Sequence, residues 1–294
     1  MLRLKLLKII LPILILIAIP VVLSFRALNQ TSVLGAGIDS YSSLFQTVDT
    51  VFLVFFAVYL IIGIYQVVKV YRSEGRLPFI QFFKSKKAIV AIAISFIGLG
   101  IFIYGMFQPW YKIKADIDSD ALKTDGLKDI ISVDGTGVKV EKSLLGGLEI
   151  PKTNVNILLM SIVLSSIFAL LGARSLRSFG KSNIKGGAIT IGLVVIIILF
   201  AVFMPNIVDI IKQQTGLGKD NIILDAFLTD LANSVSAQPI NGQYAKNFTL
   251  ATKASLLIQW GFELGIYLFL LSGIVKIISG ILSMVFSKSV DKKK

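Results

Sequence analysis

Five stretches of this chain run for 17 to 24 residues without an Asp, Glu, Lys or Arg, at 9 to 25, 50 to 68, 88 to 111, 153 to 173 and 186 to 208. Each is close to the ~20 apolar residues that carry a helix across a ~30 Å hydrocarbon layer, where the backbone must satisfy its own hydrogen bonds. A sixth apolar stretch, 254 to 286, is broken only by Glu263 and Lys276. The expected fold is an all-α integral membrane bundle of six transmembrane helices.

Charge placement gives that bundle a direction. The net charge is +13, and the N-terminus, residues 69 to 87, residues 174 to 185 and the tail from Lys276 hold 18 basic residues against only Glu74 and Asp291. The intervening loops, 26 to 49, 112 to 152 and 209 to 253, hold 12 basic and 14 acidic residues. The positive-inside bias places the first set in the cytoplasm, so both termini are expected there, in a plasma membrane. Arg3, Lys5 and Lys8 before an apolar run also describe a secretory signal, but Phe25 and Arg26 fit its cleavage pattern poorly, so an uncleaved anchor is expected. Residues 1–85 then form a two-span hairpin and 86–294 a four-span unit.

Basic residues that border apolar spans, with no aromatic-interleaved patch on a soluble domain, point away from nucleic acid. The expected partners are the lipid bilayer, other membrane or envelope proteins and further copies of the chain. The sequence contains no Cys and no His. That removes disulfides, thiol nucleophiles, imidazole bases and the usual zinc ligands. No GxSxG, HExxH or P-loop spacing occurs, so neither enzymatic activity nor a cofactor is expected.

The two long outer loops carry different periods. In 112–152, Ile113, Ala115 and Ile117 alternate with Lys112, Lys114, Asp116 and Asp118, and Val138 and Val140 alternate with Lys139 and Glu141. Period two predicts strands, and the intervening Asp134-Gly135 pair suits a tight reversal between antiparallel partners. A small β module is expected there. In 209–253, Leu224, Phe227, Leu228, Leu231 and Val235 share one helical stripe that stops before Pro239, predicting an amphipathic helix on the sheet or the membrane surface.

Several residues invite a site reading. Asp116, Asp118 and Asp120 open like a calcium loop, but Ala121 stands where the template needs Gly and Leu127 where it needs a bidentate Glu. They remain metal candidates beside the plainer reading of a solvated strand face. Trp110, Tyr111 and Trp260 are expected as headgroup-level anchors. Gly98, Gly100 and Gly105, and likewise Gly261, Gly265, Gly273 and Gly280, allow close helix packing. Glu263 and Lys276 are the ionisable residues of the sixth stretch; each is either interfacial or buried, with snorkelling the plain account of Lys276. Asn29 and Asn247 head N-glycosylation sequons in loops expected on the outside.

From 86 to 286 the order is span, β-patterned outer loop, span, short basic inner loop, span, outer loop, span. With Pro109-Trp110-Tyr111-Lys112-Ile113-Lys114-Ala115, Met204-Pro205, and Ala254-Ser255-Leu256 followed by Trp260, it resembles the claudin and peripheral-myelin tetraspan superfamily. The resemblance implies a contact role through the outer loops. The Gly-Leu-Trp and paired-Cys signature of that superfamily's first loop is absent, and residues 1 to 85 have no counterpart. The functional expectation is a structural or contact protein, acting through protein–protein, cell–cell or envelope association. The alternative is a transporter or channel subunit with Glu263 as its intramembrane ionisable residue.

Overall fold

In a computed structural model, the described residues are 39–75, 77–118, 126–135, 137–140, 155–206, 208–209, 222–248 and 254–290. The chain runs α1 (Asp39–Glu74), α2 (Phe79–Phe82), α3 (Lys86–Phe107), β1 (Tyr111–Asp118), β2 (Lys128–Asp134), β3 (Gly137–Val140), α4 (Val155–Leu171), α5 (Leu176–Val202), α6 (Ile222–Ala237), β4 (Asn241–Phe248), β5 (Ala254–Phe262) and α7 (Leu264–Val290). Four of these helices, α1, α3, α5 and α7, hold segments long and apolar enough to cross a membrane. The 153 to 173 run yields α4, shorter at 17 residues, and the 9 to 25 run lies outside the described residues.

The packing of α3, α5 and α7 follows from what their contact faces lack. On α5, Leu176, Gly180, Asn183, Gly187, Thr190 and Val194 recur at steps of three and four and are all buried. Gly180 and Gly187 face Gly280 and Gly273 of the antiparallel α7: a Cβ on Gly180 would lie 2.5 Å from the Gly280 carbonyl, and one on Gly187 2.5 Å from the Gly273 carbonyl. Two glycine pairs, one heptad apart on each helix, bring the backbones together as small residues do in membranes. On the other side of α7, Gly98 and Gly105 of α3 leave room for Val275, Lys276, Leu268 and Phe269. Hydroxyls and an amide fasten this trio: Ser95 donates to Asn183, Asn183 to Ser279, Ser279 to the Ala91 carbonyl and Ser272 to the Gly98 carbonyl. Helix α1 packs on α4, with Gly63 against the Phe168 ring.

At the end of the bundle opposite the basic loops stands a five-stranded antiparallel sheet, ordered β3-β2-β1-β5-β4. The expected hairpin forms, with Asp134 opposite Gly137. The sixth apolar stretch, 254 to 286, divides between two elements: its first nine residues are β5, which pairs with β1 along the length of β1, from Tyr111 opposite Phe262 to Asp118 opposite Ser255, and the rest lies in α7. The sheet also extends beyond the 112–152 loop in which it is expected, because β4 comes from the second loop. Helix α6 lies on the sheet, its Phe227, Leu231 and Val235 meeting Ala115, Ile258, Trp260 and Tyr244.

Candidate functional site

The strand period sorts the sheet into two faces. Tyr111, Ile113, Ala115, Leu256, Ile258 and Trp260 share the core beneath α6. The alternate residues therefore form the opposite face: Lys112 and Lys114 of β1, Gln259 of β5, and Asn241, Gln243 and Asn247 of β4. Gln243, Gln259, Lys114 and Asp129 stand directly across from one another, two amides followed by a cation and an acid. Asn241, Gln243 and Asn247 are exposed, and no large aromatic residue interrupts the face. It presents groups that can exchange hydrogen bonds and ion pairs.

Two cations of this face have carboxylate partners. Lys112 lies 2.5 Å from Asp129 and Lys114 3.9 Å from Glu263. Both pairs are partly solvated, so each contributes only about 0–1 kcal/mol. The hydrogen bond from Lys112 to Asp129 holds the ammonium above the ordinary lysine pKa. Stability from a raised lysine pKa is present below its unfolded value and lost only as pH climbs through the folded one, so neutral pH leaves it intact. Lys246 is raised likewise by hydrogen bonding to Asp230 of α6, tying β4 to the helix.

A second polar centre lies inside the bundle. Lys276 sits near the middle of α7, about 18 Å of helix from Leu264 and about 21 Å from Val290, too far from either end for its stem to reach an interface. It is 1% exposed. Its stem passes the gap at Gly98, its Nζ donates to Ser166 Oγ at 3.0 Å, and it lies 5.3 Å from the centre of the Phe102 ring. Ser166 in turn donates to the Ile162 carbonyl. No described carboxylate forms an ion pair with it, although a charged lysine at a helix centre costs ~2.5–3.5 kcal/mol even on the mildest scale. Of the two placements open to Lys276, the side chain takes the buried one.

The other candidates fall as follows. Glu263 occupies the junction between β5 and α7, one residue before the helix, 34% exposed in its side chain; its N–H donates to the Trp110 carbonyl. Trp110 is buried, donates from its indole to the Gly105 carbonyl and packs at a steep tilt against the Phe269 ring. Trp260 is buried in β5 beneath Gly242 and donates from its indole to the Gln238 carbonyl. Tyr111 opens β1; its hydroxyl is buried without a hydrogen-bond partner among the described residues, and burial pushes the phenol up. Asp116 and Asp118 lie on β1, Asp120 lies outside the described residues, and no group of three or more His, Cys, Asp or Glu comes together among the described ones. Asn247 is exposed on β4, and Asn29 lies outside the described residues.

Sequence reasoning missed the amide row and Asn183. Gln243 and Gln259 had a signal in the alternation of Ser255, Leu257, Gln259 and Gly261 with Leu256, Ile258 and Trp260. Asn183 had none, because Lys181 and Lys185 make its neighbourhood read as a loop. Comparison with protein-family models, curated proteins and solved structures finds no match.

Proposed function

We propose that this protein works by binding, as a polytopic membrane protein whose sheet-and-helix module stands outside the plasma membrane and holds a partner protein, a neighbouring cell or an envelope layer. The observation that carries the reading is the sheet's polar face, left uncovered by α6 and lined by Asn241, Gln243, Gln259 and Lys114. A module drawn from both loops, with its own core, is also a large structure for loops that merely join spans. Its position at the end remote from the basic loops supports an outer location and cytoplasmic termini. The order of elements from 86 to 286 keeps descent from the claudin and peripheral-myelin superfamily within the proposal.

One observation favours a second reading, transport: the buried Lys276, since conducting or carrying bundles place ionisable groups near the midplane. Glu263, at the junction before α7, is the other ionisable residue of that reading.

The test is site-specific photo-crosslinking in native membranes. A benzoyl-phenylalanine in place of Gln243 is expected to give a discrete adduct, while the same group in place of Lys181 gives none of that mass. Asn241→Arg is expected to abolish the Gln243 adduct, and Glu263→Gln to leave it unchanged, because a half-solvated pair at 3.9 Å contributes little. If position 243 captures nothing and reconstituted vesicles show a solute flux that Lys276→Met removes, the contact reading fails and transport replaces it.

A further inference from the structure

The last four turns of α1 carry an open, shallow groove of about 640 Å³. Ile61, Ile64, Tyr65 and Val68 line its apolar length, and Lys69, Arg72 and Ser73 close its end. These residues recur at steps of three and four, so they form one stripe. It is not the stripe that meets the bundle: Phe56, Leu60, Gly63, Val67 and Val70 take that role, and α1 is the least buried of the four long apolar helices.

We propose that this groove binds an anionic phospholipid, its phosphate at Lys69, Arg72 and Ser73 and an acyl chain along Tyr65, Ile64 and Ile61. Length supports the assignment. Ile61 to Arg72 covers about 16 Å of helix, close to the ~15 Å of one leaflet, with both cations at the headgroup end. Charge supports it as well. Neither Lys69 nor Arg72 forms an ion pair with a described residue, and no acid belongs to the stripe. The chain's own first apolar run is a poorer occupant, because Arg3, Lys5 and Lys8 precede it without an acid and would set cations against cations at the same basic end. A phosphodiester with its hydrocarbon tail satisfies both halves of the groove at once.

The full-length protein, purified into mixed phosphatidylglycerol and phosphatidylcholine and released for native mass spectrometry, is expected to retain phosphatidylglycerol selectively. The double variant Lys69→Gln with Arg72→Gln should lower that retention roughly tenfold or more, from ~1 kcal/mol per juxtamembrane cation. Lys84→Gln with Lys87→Gln removes equal charge from the same end and should leave retention unchanged. Ile64→Trp, which fills the groove and spares the charges, should also reduce it. Equal losses from both double variants would overturn the proposal in favour of diffuse attraction. So would displacement of the lipid by millimolar inorganic phosphate, which would mean a headgroup-only anion site. Quantitative disulfide formation between Leu16→Cys and Ile64→Cys would overturn it by placing the chain's own segment in the groove.

Discussion

Gly187→Val is expected to leave little folded protein, whereas Gly186→Ala, one residue away, is expected to be neutral or stabilising. A Cβ at 187 would stand 2.5 Å from the Gly273 carbonyl and 2.7 Å from Ile277 Cγ1, and the first of these is backbone that cannot rotate aside. The helices must separate, which also weakens the Gly180–Gly280 contact and the Asn183–Ser279 bond on the same face. Overpacking in well-packed interiors costs typically ~1–3 kcal/mol, and an unyielding backbone contact repeated one heptad away places this variant at or beyond the upper limit. A methyl group added at Gly186 or Gly192 would meet nothing within 4 Å, so alanine there only gains helix propensity, up to ~1 kcal/mol. Size-exclusion profiles after stepwise heating in detergent separate these outcomes. Equal melting temperatures for Gly187→Val and Gly186→Ala would refute the paired-glycine contact.

Lys276→Met is expected to raise thermal stability. Lysine's stem is close in length to methionine's, so the gap beside Gly98 stays filled while an ammonium without a described carboxylate partner leaves the interior. Replacing buried charged groups by apolar side chains of similar volume is often stabilising, by ~1–4 kcal/mol. Ser166 loses a donor but keeps its own bond to the Ile162 carbonyl, so no hydroxyl proton is stranded. The companion change Gly98→Val is expected to destabilise, because its Cβ alone would stand 3.1 Å from Val275 Cγ1 and 3.2 Å from Lys276 Cγ. Thermal melts of the two variants check the pair, and a marked loss of stability in Lys276→Met would show that the ammonium holds the bundle through contacts beyond Ser166. A lysine retained at a cost to stability is also why its removal belongs in the flux assay that separates contact from transport.

The spans were legible where charge was absent and the chain had no second option. Run 50 to 68 lies within α1, and runs 88 to 111 and 186 to 208 lie mostly on α3 and α5, yet α5 begins ten residues before its run, because Arg177, Lys181 and Lys185 lie on exposed positions of a helix whose other face is already packed. Strand β1 was legible because its charges alternate with apolar residues. Strand β5 was not, since Ala254–Phe262 is apolar enough to merge with α7, and its partner β1 lies more than a hundred residues away in sequence. Tertiary pairing decides such a segment, which makes strand propensity a matter of available neighbours. The consequence reaches the site residues: the acid that a continuous helix would bury two turns deep is the residue that joins strand to helix, and the lysine that would snorkel is the buried one. The glycines of α7 were legible as packing elements, but their partners on α5 were not, because Gly180 precedes the uncharged run and Gly187 barely enters it.

The contact account depends on the side of the membrane that the sheet occupies, and the absence of native cysteine makes that directly measurable. Gln243 is exposed on β4 and Lys181 is exposed near the start of α5, at the opposite end of the bundle. In intact cells an impermeant maleimide is expected to label Gln243→Cys fully and Lys181→Cys only after permeabilisation. Labelling of Lys181→Cys before lysis with protection of Gln243→Cys would turn the module inward and contradict the account.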